Sequence, residues 1–316
     1  MRELEFIEII KKTLSKKSHI GDDCAYLKDL GVVITHDSLV EGIHFSREFS
    51  TPFQLAYKSI IVNLSDVFAS GAVPKYLTIS LSLPKDIDNS FVSEFYQACE
   101  DLSNKFDFEI VGGDITGSEK IFVSVCAIGI TKGRKIASRS HAKVGDFVIA
   151  TGNHGSSAAG LFALGSRLDG FPELVKQHLT PTINPEFSKE IASKIDREYA
   201  MMDTSDGLAD ALFKIAQSSG VLIAVDFDKI DYDKDIEVVA GYAKVDFKDW
   251  VLYGGEDFQL VACIDAQNLK KLEVPYLIIG QVKQKAEDCF VEIFIDNQIQ
   301  KISNLEKTFN HFKEGI

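Results

Sequence analysis

Acidic residues set beside glycine or hydroxyl groups recur along this chain from Asp22 to Asp257. The patches are Gly21-Asp22-Asp23, Thr35-His36-Asp37, Asn63-Leu64-Ser65-Asp66, Gly112-Gly113-Asp114, Asp203-Thr204-Ser205-Asp206-Gly207 and Gly254-Gly255-Glu256-Asp257, with a glycine-rich segment at 152–160. Each is expected where a strand or apolar run breaks. Carboxylates at the ends of many elements converge only if the fold gathers them. Once gathered they repel one another unless cations lie between them. Oxygen-rich donor sets favour magnesium or calcium over zinc. The pattern therefore points to a magnesium site, and a magnesium site of this extent points to phosphate chemistry.

The 316 residues suffice for two domains with real cores. A formal charge of −13 argues against a general nucleic-acid surface or an anionic membrane as partner. The same charge would repel a phosphate substrate, which bound cations would resolve. Cys24, Cys99, Cys126, Cys263 and Cys289 form no C-x-x-C pair, so neither a zinc site nor a disulfide framework is expected. The acidic start Met1-Arg2-Glu3-Leu4-Glu5 lacks a signal-peptide core. No apolar run approaches the roughly 20 residues that span a bilayer. A reducing, cytoplasmic compartment is the expectation.

Hydrophobic periodicity orders the chain as mixed helices and strands. A helix is expected over 2–14, and a strand over 32–34 ending at Thr35-His36-Asp37. Ser50-Thr51-Pro52 opens a helix that runs to about Ser70. Strict alternation over 76–83 marks a half-buried strand. A helix at 89–104, a strand at 108–111 broken by Gly112-Gly113-Asp114, and a strand at 121–130 follow. The polar, basic stretch 131–145 is the best boundary. Beyond it come a strand at 147–150, an alanine-rich helix, a helix at 208–218 and strands at 221–227, 258–264, 276–282 and 289–295. Strand order is not readable from such patterns.

Within the helix at 51–70, Ala56, Ile60, Leu64 and Val67 form an apolar stripe. Ser59, Asn63, Asp66 and Ser70 form a second stripe of small polar groups at helical spacing. Solvated faces are usually rich in Lys and Glu, so this stripe reads as buried, and a buried Asp needs a partner or a metal. Taken singly, Asp22, Asp23 and Asp37 read as turn residues; the metal reading rests on their number. Ser205 or Asp206 could cap the helix after Gly207, or its free N–H groups could bind phosphate. The 152–160 segment fits neither dinucleotide nor P-loop spacing and is a weak phosphate-loop signal. His44 by itself reads as structural, and Arg139 as a surface residue or a phosphate clamp.

Together the patches resemble the thiamine-monophosphate kinase family, within the superfamily of aminoimidazole ribonucleotide synthetase. The resemblance covers almost the whole chain. Its motifs are Ile20-Gly21-Asp22-Asp23-Cys24-Ala25, Asp37-Ser38-Leu39-Val40-Glu41-Gly42-Ile43-His44-Phe45, Ala56-Tyr57-Lys58 with Val62-Asn63-Leu64-Ser65-Asp66, Gly112-Gly113-Asp114, Ser205-Asp206-Gly207-Leu208, Gly254-Gly255-Glu256-Asp257 and Phe309-Asn310-His311-Phe312. It implies an N-terminal α+β domain with a mixed sheet over 1–137, which binds ATP and magnesium and pairs with its twin in a homodimer. It also implies a C-terminal α/β domain over 138–316 that completes the site.

By the same resemblance, Asp23, Thr35, His36, Asp37, Asp66, Asp114, Asp203 and Asp206 would surround several Mg2+ ions, with Asp66, Asp114 and Asp206 central to catalysis. Gly113, Asp114, Arg139 and Ser205 would meet ATP. His44, Glu256 and Phe309 would meet thiamine monophosphate. His36 stands where the family usually has threonine, so a metal contact there would need the backbone. Phe309 keeps the stacking surface of the usual aromatic and lacks its polar edge. The implied reaction is direct in-line transfer of the γ-phosphoryl group of ATP to thiamine monophosphate. Other ATP-using members of the superfamily and a non-catalytic nucleotide-binding regulator are the alternatives.

Overall fold

The computed structural model describes residues 2–16, 20–286 and 290–308. Its elements form two sheets, one drawn from the first half of the chain and one from the second. In the first half, α1 (Arg2–Thr13) precedes β1 (Ala25–Leu27) and β2 (Val32–Val40). They are followed by α2 (Pro52–Ala69), β3 (Val73–Leu83), α3 (Asn89–Phe106), β4 (Glu109–Gly117) and β5 (Phe122–Ile130). The five strands lie in the order β1-β2-β5-β3-β4, with β3 and β4 parallel and the other neighbours antiparallel.

The second half begins with β6 (Phe147–Ala150), α4 (Ser156–Gly165), α5 (Pro172–Leu179), α6 (Pro185–Lys194), β7 (Ala200–Asp203) and α7 (Leu208–Ser219). It continues through β8 (Val221–Asp226), α8 (Asp235–Ala243), α9 (Phe247–Tyr253), β9 (Leu260–Ile264) and α10 (Ala266–Leu269). It closes with β10 (Leu277–Lys285), β11 (Val291–Ile295) and β12 (Gln298–Ile302). The strand order is β12-β11-β8-β10-β6-β9-β7, with β8 and β11 the parallel pair.

α2 is the element that joins the halves. Thr51 and Gln54 form a reciprocal capping box ahead of Pro52, which fixes where the helix begins. Ile60, Leu64 and Val67 are fully buried in the first core together with Leu77, Ile79 and Val125 of the sheet. The polar stripe is buried as well: Asn63 donates to the carbonyl of Ser59 and accepts from the backbone N–H of Asp37 at 3.0 Å. A third face, Lys58 and Ser65 seven residues apart, reaches residues of the second half, Glu256 and Asp203. A helix buried on all sides explains why this stripe holds no Lys–Glu mixture.

Two expected breaks are absent. β2 runs on through Thr35-His36-Asp37 to Val40, and β4 runs through Gly112-Gly113-Asp114 to Gly117. The glycines of β4 serve packing: a Cβ on Gly113 would lie 1.8 Å from the carbonyl oxygen of Ile79 on β3. The outer face of this sheet, opposite α2 and α3, carries Tyr76, Thr78 and Ser80 of β3 and Phe122, Ser124 and Cys126 of β5. Tyr76 is 40% exposed and Phe122 36%. No helix of the described residues is long and apolar enough to cross a membrane.

Candidate active site

Where α2 meets β7, ligand oxygens of Asp23, Asp66 and Asp203 lie within 4.8 Å of one another. Three local structures deliver them. Asp23 sits just ahead of β1, Asp66 in the last turns of α2, and Asp203 at the end of β7. Hydroxyl groups orient two of the three carboxylates. Thr35 Oγ1 donates to Asp66 at 2.5 Å, and Ser65 and Ser205 donate to the two oxygens of Asp203 at 2.6 and 3.1 Å. Asp37 faces Asp66 from β2, and Asp206 lies close enough to act on Asp37.

Cations of the chain compensate only part of the charge in this cluster. Burial, then the neighbouring Asp37, Asp203 and Asp23, push the Asp66 carboxyl well above the usual range. Burial and Asp23 push Asp203 up to about 7. Two cations of the chain stand at its rim. The Arg139 guanidinium bonds Asp23, while Asp22 accepts from the Arg139 backbone N–H at 2.7 Å and fixes that loop. Lys214 Nζ lies 3.0 Å from Asp206 and 2.7 Å from Asp210. These all-oxygen donors, buried and mutually repelling, fit a hard divalent cation.

A second polar cluster lies around Glu256. The loop 254–257 is pressed against the turn after β7: a Cβ on Gly255 would come 2.6 Å from the carbonyl oxygen of Ser205, and Glu256 N–H bonds that oxygen at 2.7 Å. Glu256 itself takes a left-handed φ of 66°. Its carboxylate pairs with Lys58 at 2.7 Å and lies 3.5 Å from His178 Nδ1. His44, at the turn after β2, accepts from Val40 N–H through Nδ1 at 3.0 Å, and its carbonyl accepts from Lys58.

Comparison with known proteins gives these clusters a context. Residues 21–131 match the model of the AIR synthase related protein, N-terminal domain. The thiamine-monophosphate kinase of Aquifex aeolicus is 36% identical, covering 82% of this chain and 84% of the relative. That of Bacillus subtilis is 31% identical over 93% of each. This chain belongs to the thiamine-monophosphate kinase family. A solved structure described as AaThiL complexed with AMPPCP and TMP superposes with a TM-score of 0.84 at 32% identity, over 95% of this chain and 96% of that one. The HypE–HypF complex, at 18% identity and a TM-score of 0.75, shares the fold.

For a thiamine-monophosphate kinase sequence, the expected site residues separate into groups. Asp23, Thr35, Asp37, Asp66, Asp203, Asp206, Arg139 and Ser205 gather around one cluster. His44 and Glu256 share Lys58 as a partner. His36 and Asp114 go elsewhere. Because side chains alternate along a strand, His36 points away from Thr35 and Asp37, to the outer face. There its Nε2 lies 2.6 Å from Ser124 Oγ. Asp114 sits in register with Ser80 on that same face and is exposed. The expectation of a strand break at these patches hid this alternation. Gly113 lies beside Asp114 with its backbone against Ile79. Phe309 lies outside the described residues.

The glycine-rich junction at 152–160 is not a free phosphate loop. Asp257 already occupies the N-terminus of α4, accepting from Gly155 N–H at 2.5 Å and Ser157 N–H at 2.8 Å. The α7 N-terminus differs. Its N-cap is Gly207 and no side chain caps it, so neither Ser205 nor Asp206 takes that role. His178, Lys214 and Asp210 were missed by sequence reasoning, and Lys58, named within the Ala56-Tyr57-Lys58 motif, was given no role. Lys58 alone left a signal, as a cation inside the otherwise uncharged run from Phe53 to Ser65.

Proposed function

We propose that this chain transfers the γ-phosphoryl group of ATP to thiamine monophosphate, giving thiamine diphosphate and ADP. Membership of the family supports the reading, as does the relative crystallised with an ATP analogue and TMP. The observation that carries it in this molecule is the convergence of Asp23, Asp66 and Asp203 between the two halves. Asp23, Asp66 and Asp203 would hold magnesium, with Asp37 and Asp206 beside them. Bound magnesium would supply the charge neutralisation that lets two phosphate groups approach.

The chain's own residues do the positioning. Thr35, Ser65 and Ser205 hold their carboxylates in place from behind. Arg139 and Lys214 are the cations nearest to where phosphate oxygens would enter, and the uncapped N–H groups of α7 face the same turn. The acceptor phosphate already carries a nucleophilic oxygen at neutral pH, so the transfer needs alignment and no strong base. Asp114 lies on the face turned away from the Asp66 cluster and Gly113 is packed against Ile79, so the ATP contacts expected of Gly113 and Asp114 are not part of this reading.

The domain boundary belongs between 137 and 138, in the stretch that separates the sheets. The protein works in the cytoplasm, a reading supported by the free Cys24, Cys99, Cys126 and Cys263. Formation of ADP that depends on both thiamine monophosphate and magnesium is the expected result of a coupled assay. Nucleotide binding without turnover would favour a regulator, and turnover with another acceptor only would favour a different enzyme of the superfamily.

The partner of the uncovered sheet face is a second copy of this chain. Exposed Tyr76 and Phe122 with a row of small hydroxyls offer a surface that a second sheet can cover. Tyr76→Glu is expected to convert a dimer to a monomer in sedimentation velocity at micromolar concentration. A variant that stays dimeric would place the interface elsewhere.

A further inference from the structure

The Lys58–Glu256 pair changes how Glu256 can meet a substrate. Lys58 projects from the middle of α2, and its side chain is only 5% exposed. Its ammonium bonds Glu256 Oε2 at 2.7 Å and the carbonyl of His44 at 3.3 Å. One cation thus ties together two residues that are far apart in the chain. Among the described residues, Glu256 Oε1 accepts no hydrogen bond, and the Glu256 side chain is 28% exposed. One oxygen is tied back and the other is offered outward.

The backbone leaves this carboxylate little freedom. Glu256 N–H is bonded to Ser205, and φ is left-handed. On its remaining side stands His178, whose Nδ1 is also 3.1 Å from Ser157 Oγ. Burial, then Lys58, lower the His178 pKa to about 4, so this neighbour is neutral at physiological pH. Burial raises the Glu256 carboxyl, but Lys58, by its charge and its hydrogen bond, outweighs it and leaves the group below its ordinary value, hence ionised. Its negative charge is already matched by a buried ammonium in contact.

Thiamine monophosphate presents two features to such a group. The thiazolium ring is a cation without an N–H. The aminopyrimidine carries an exocyclic amine that donates hydrogen bonds. A carboxylate whose charge is neutralised by a fixed lysine is a weak counter-ion and a good oriented acceptor. We propose that Lys58 is a positioning residue that fixes Glu256 as a hydrogen-bond acceptor for the aminopyrimidine amine, so that Glu256 selects the substrate by that N–H donor and not by the thiazolium charge. The inference rests on the reading of thiamine monophosphate as the acceptor.

The test is calorimetric binding to the full chain with magnesium and a non-hydrolysable ATP analogue. The probes are thiamine monophosphate and its analogue bearing an oxo group in place of the exocyclic amine, which keeps the thiazolium charge. Wild type is expected to bind the amino form about tenfold or more tighter, because the oxo form sets a carbonyl oxygen, an acceptor, against the Glu256 carboxylate where the amine would donate. Lys58→Met is expected to weaken the amino form by about tenfold and to shrink the discrimination below about twofold. Lys58→Arg, which keeps the charge, should retain most of both, and KM for ATP should stay near wild type in each variant. A purely structural role for Lys58 would leave the discrimination ratio intact. Equal binding of the two forms by wild type overturns the proposal while the kinase reading stands. Undiminished discrimination in Lys58→Met overturns the role of Lys58. No binding of thiamine monophosphate to wild type overturns the kinase reading, and this proposal with it. Should Lys58→Met fail to fold, Lys58→Gln, which can still donate to Glu256 Oε2, is measured in its place, and undiminished discrimination there overturns the role of the Lys58 charge.

Discussion

Asp66→Asn is expected to lower turnover by about a thousandfold, the scale seen when a preorganised electrostatic contact to the transferring group is lost. The same substitution is expected to stabilise the metal-free protein. Asp66 is buried among Asp37, Asp203 and Asp23, and each of these raises its pKa beyond what burial does. A carboxyl whose folded pKa lies above its unfolded value contributes full stability below the unfolded pKa. It loses that contribution as pH rises through the folded pKa. Asp203, pushed to about 7, follows the same rule. In a chelator, the wild-type contribution of this cluster should therefore fall between about pH 4 and pH 8. Asp66→Asn removes one charge from it and should raise Tm at pH 8 by an amount equivalent to about 1–2 kcal/mol.

Magnesium with nucleotide should reverse the order, stabilising wild type more than the variant. Thermal unfolding at pH 5 and pH 8, with chelator and with magnesium-ATP, reads all of this independently of turnover. Normal magnesium-dependent activity in Asp66→Asn would remove Asp66 from the catalytic set. A lower Tm for the variant in chelator would show that Asp66 is held by partners and not strained by repulsion.

Glu256→Gln should raise KM for thiamine monophosphate by about tenfold or more, with KM for ATP almost unchanged. It should also destabilise the fold, because Lys58 would remain as a buried ammonium facing an amide. Removing one partner of a buried pair costs about 3–5 kcal/mol when both groups are sealed from water. Glu256 is 28% exposed, which reduces the expected loss to about 2 kcal/mol. The double variant Glu256→Gln/Lys58→Met should recover most of the stability and none of the affinity, a non-additivity that direct contact predicts. An unchanged KM in Glu256→Gln would exclude Glu256 from the acceptor site. Additive stability losses would contradict the pairing.

Much of this arrangement was legible in the chain because it is local. The capping box at Thr51, the proline at the first turn and the apolar stripe of α2 act within a few residues, so the helix could be placed almost to its ends. The second polar stripe could be recognised as buried from composition alone. Strand interiors were less legible. Thr35-His36-Asp37 and Gly112-Gly113-Asp114 contain residues usual in turns, yet both continue their strands because β5 and β3 complete the ladders. That single difference turns His36 to the outer face. Likewise, the glycines at 152–160 look free for phosphate until Asp257, a hundred residues later, fills the helix terminus.

The scattered carboxylates show where the limit falls. The chain by itself determined that acidic groups would have to converge and would then need cations, because like charges in a folded interior repel wherever they meet. Its ordered motifs also identified the family. Only the tertiary structure decided which acids meet, because α2 is packed between the halves and presents Asp66 and Ser65 to Asp203. It alone showed that Asp114 and His36 share the opposite face, since alternation depends on pairing register and not on neighbours in sequence. It alone gave Glu256 its lysine, because an ion pair across 198 positions leaves no local trace in either segment.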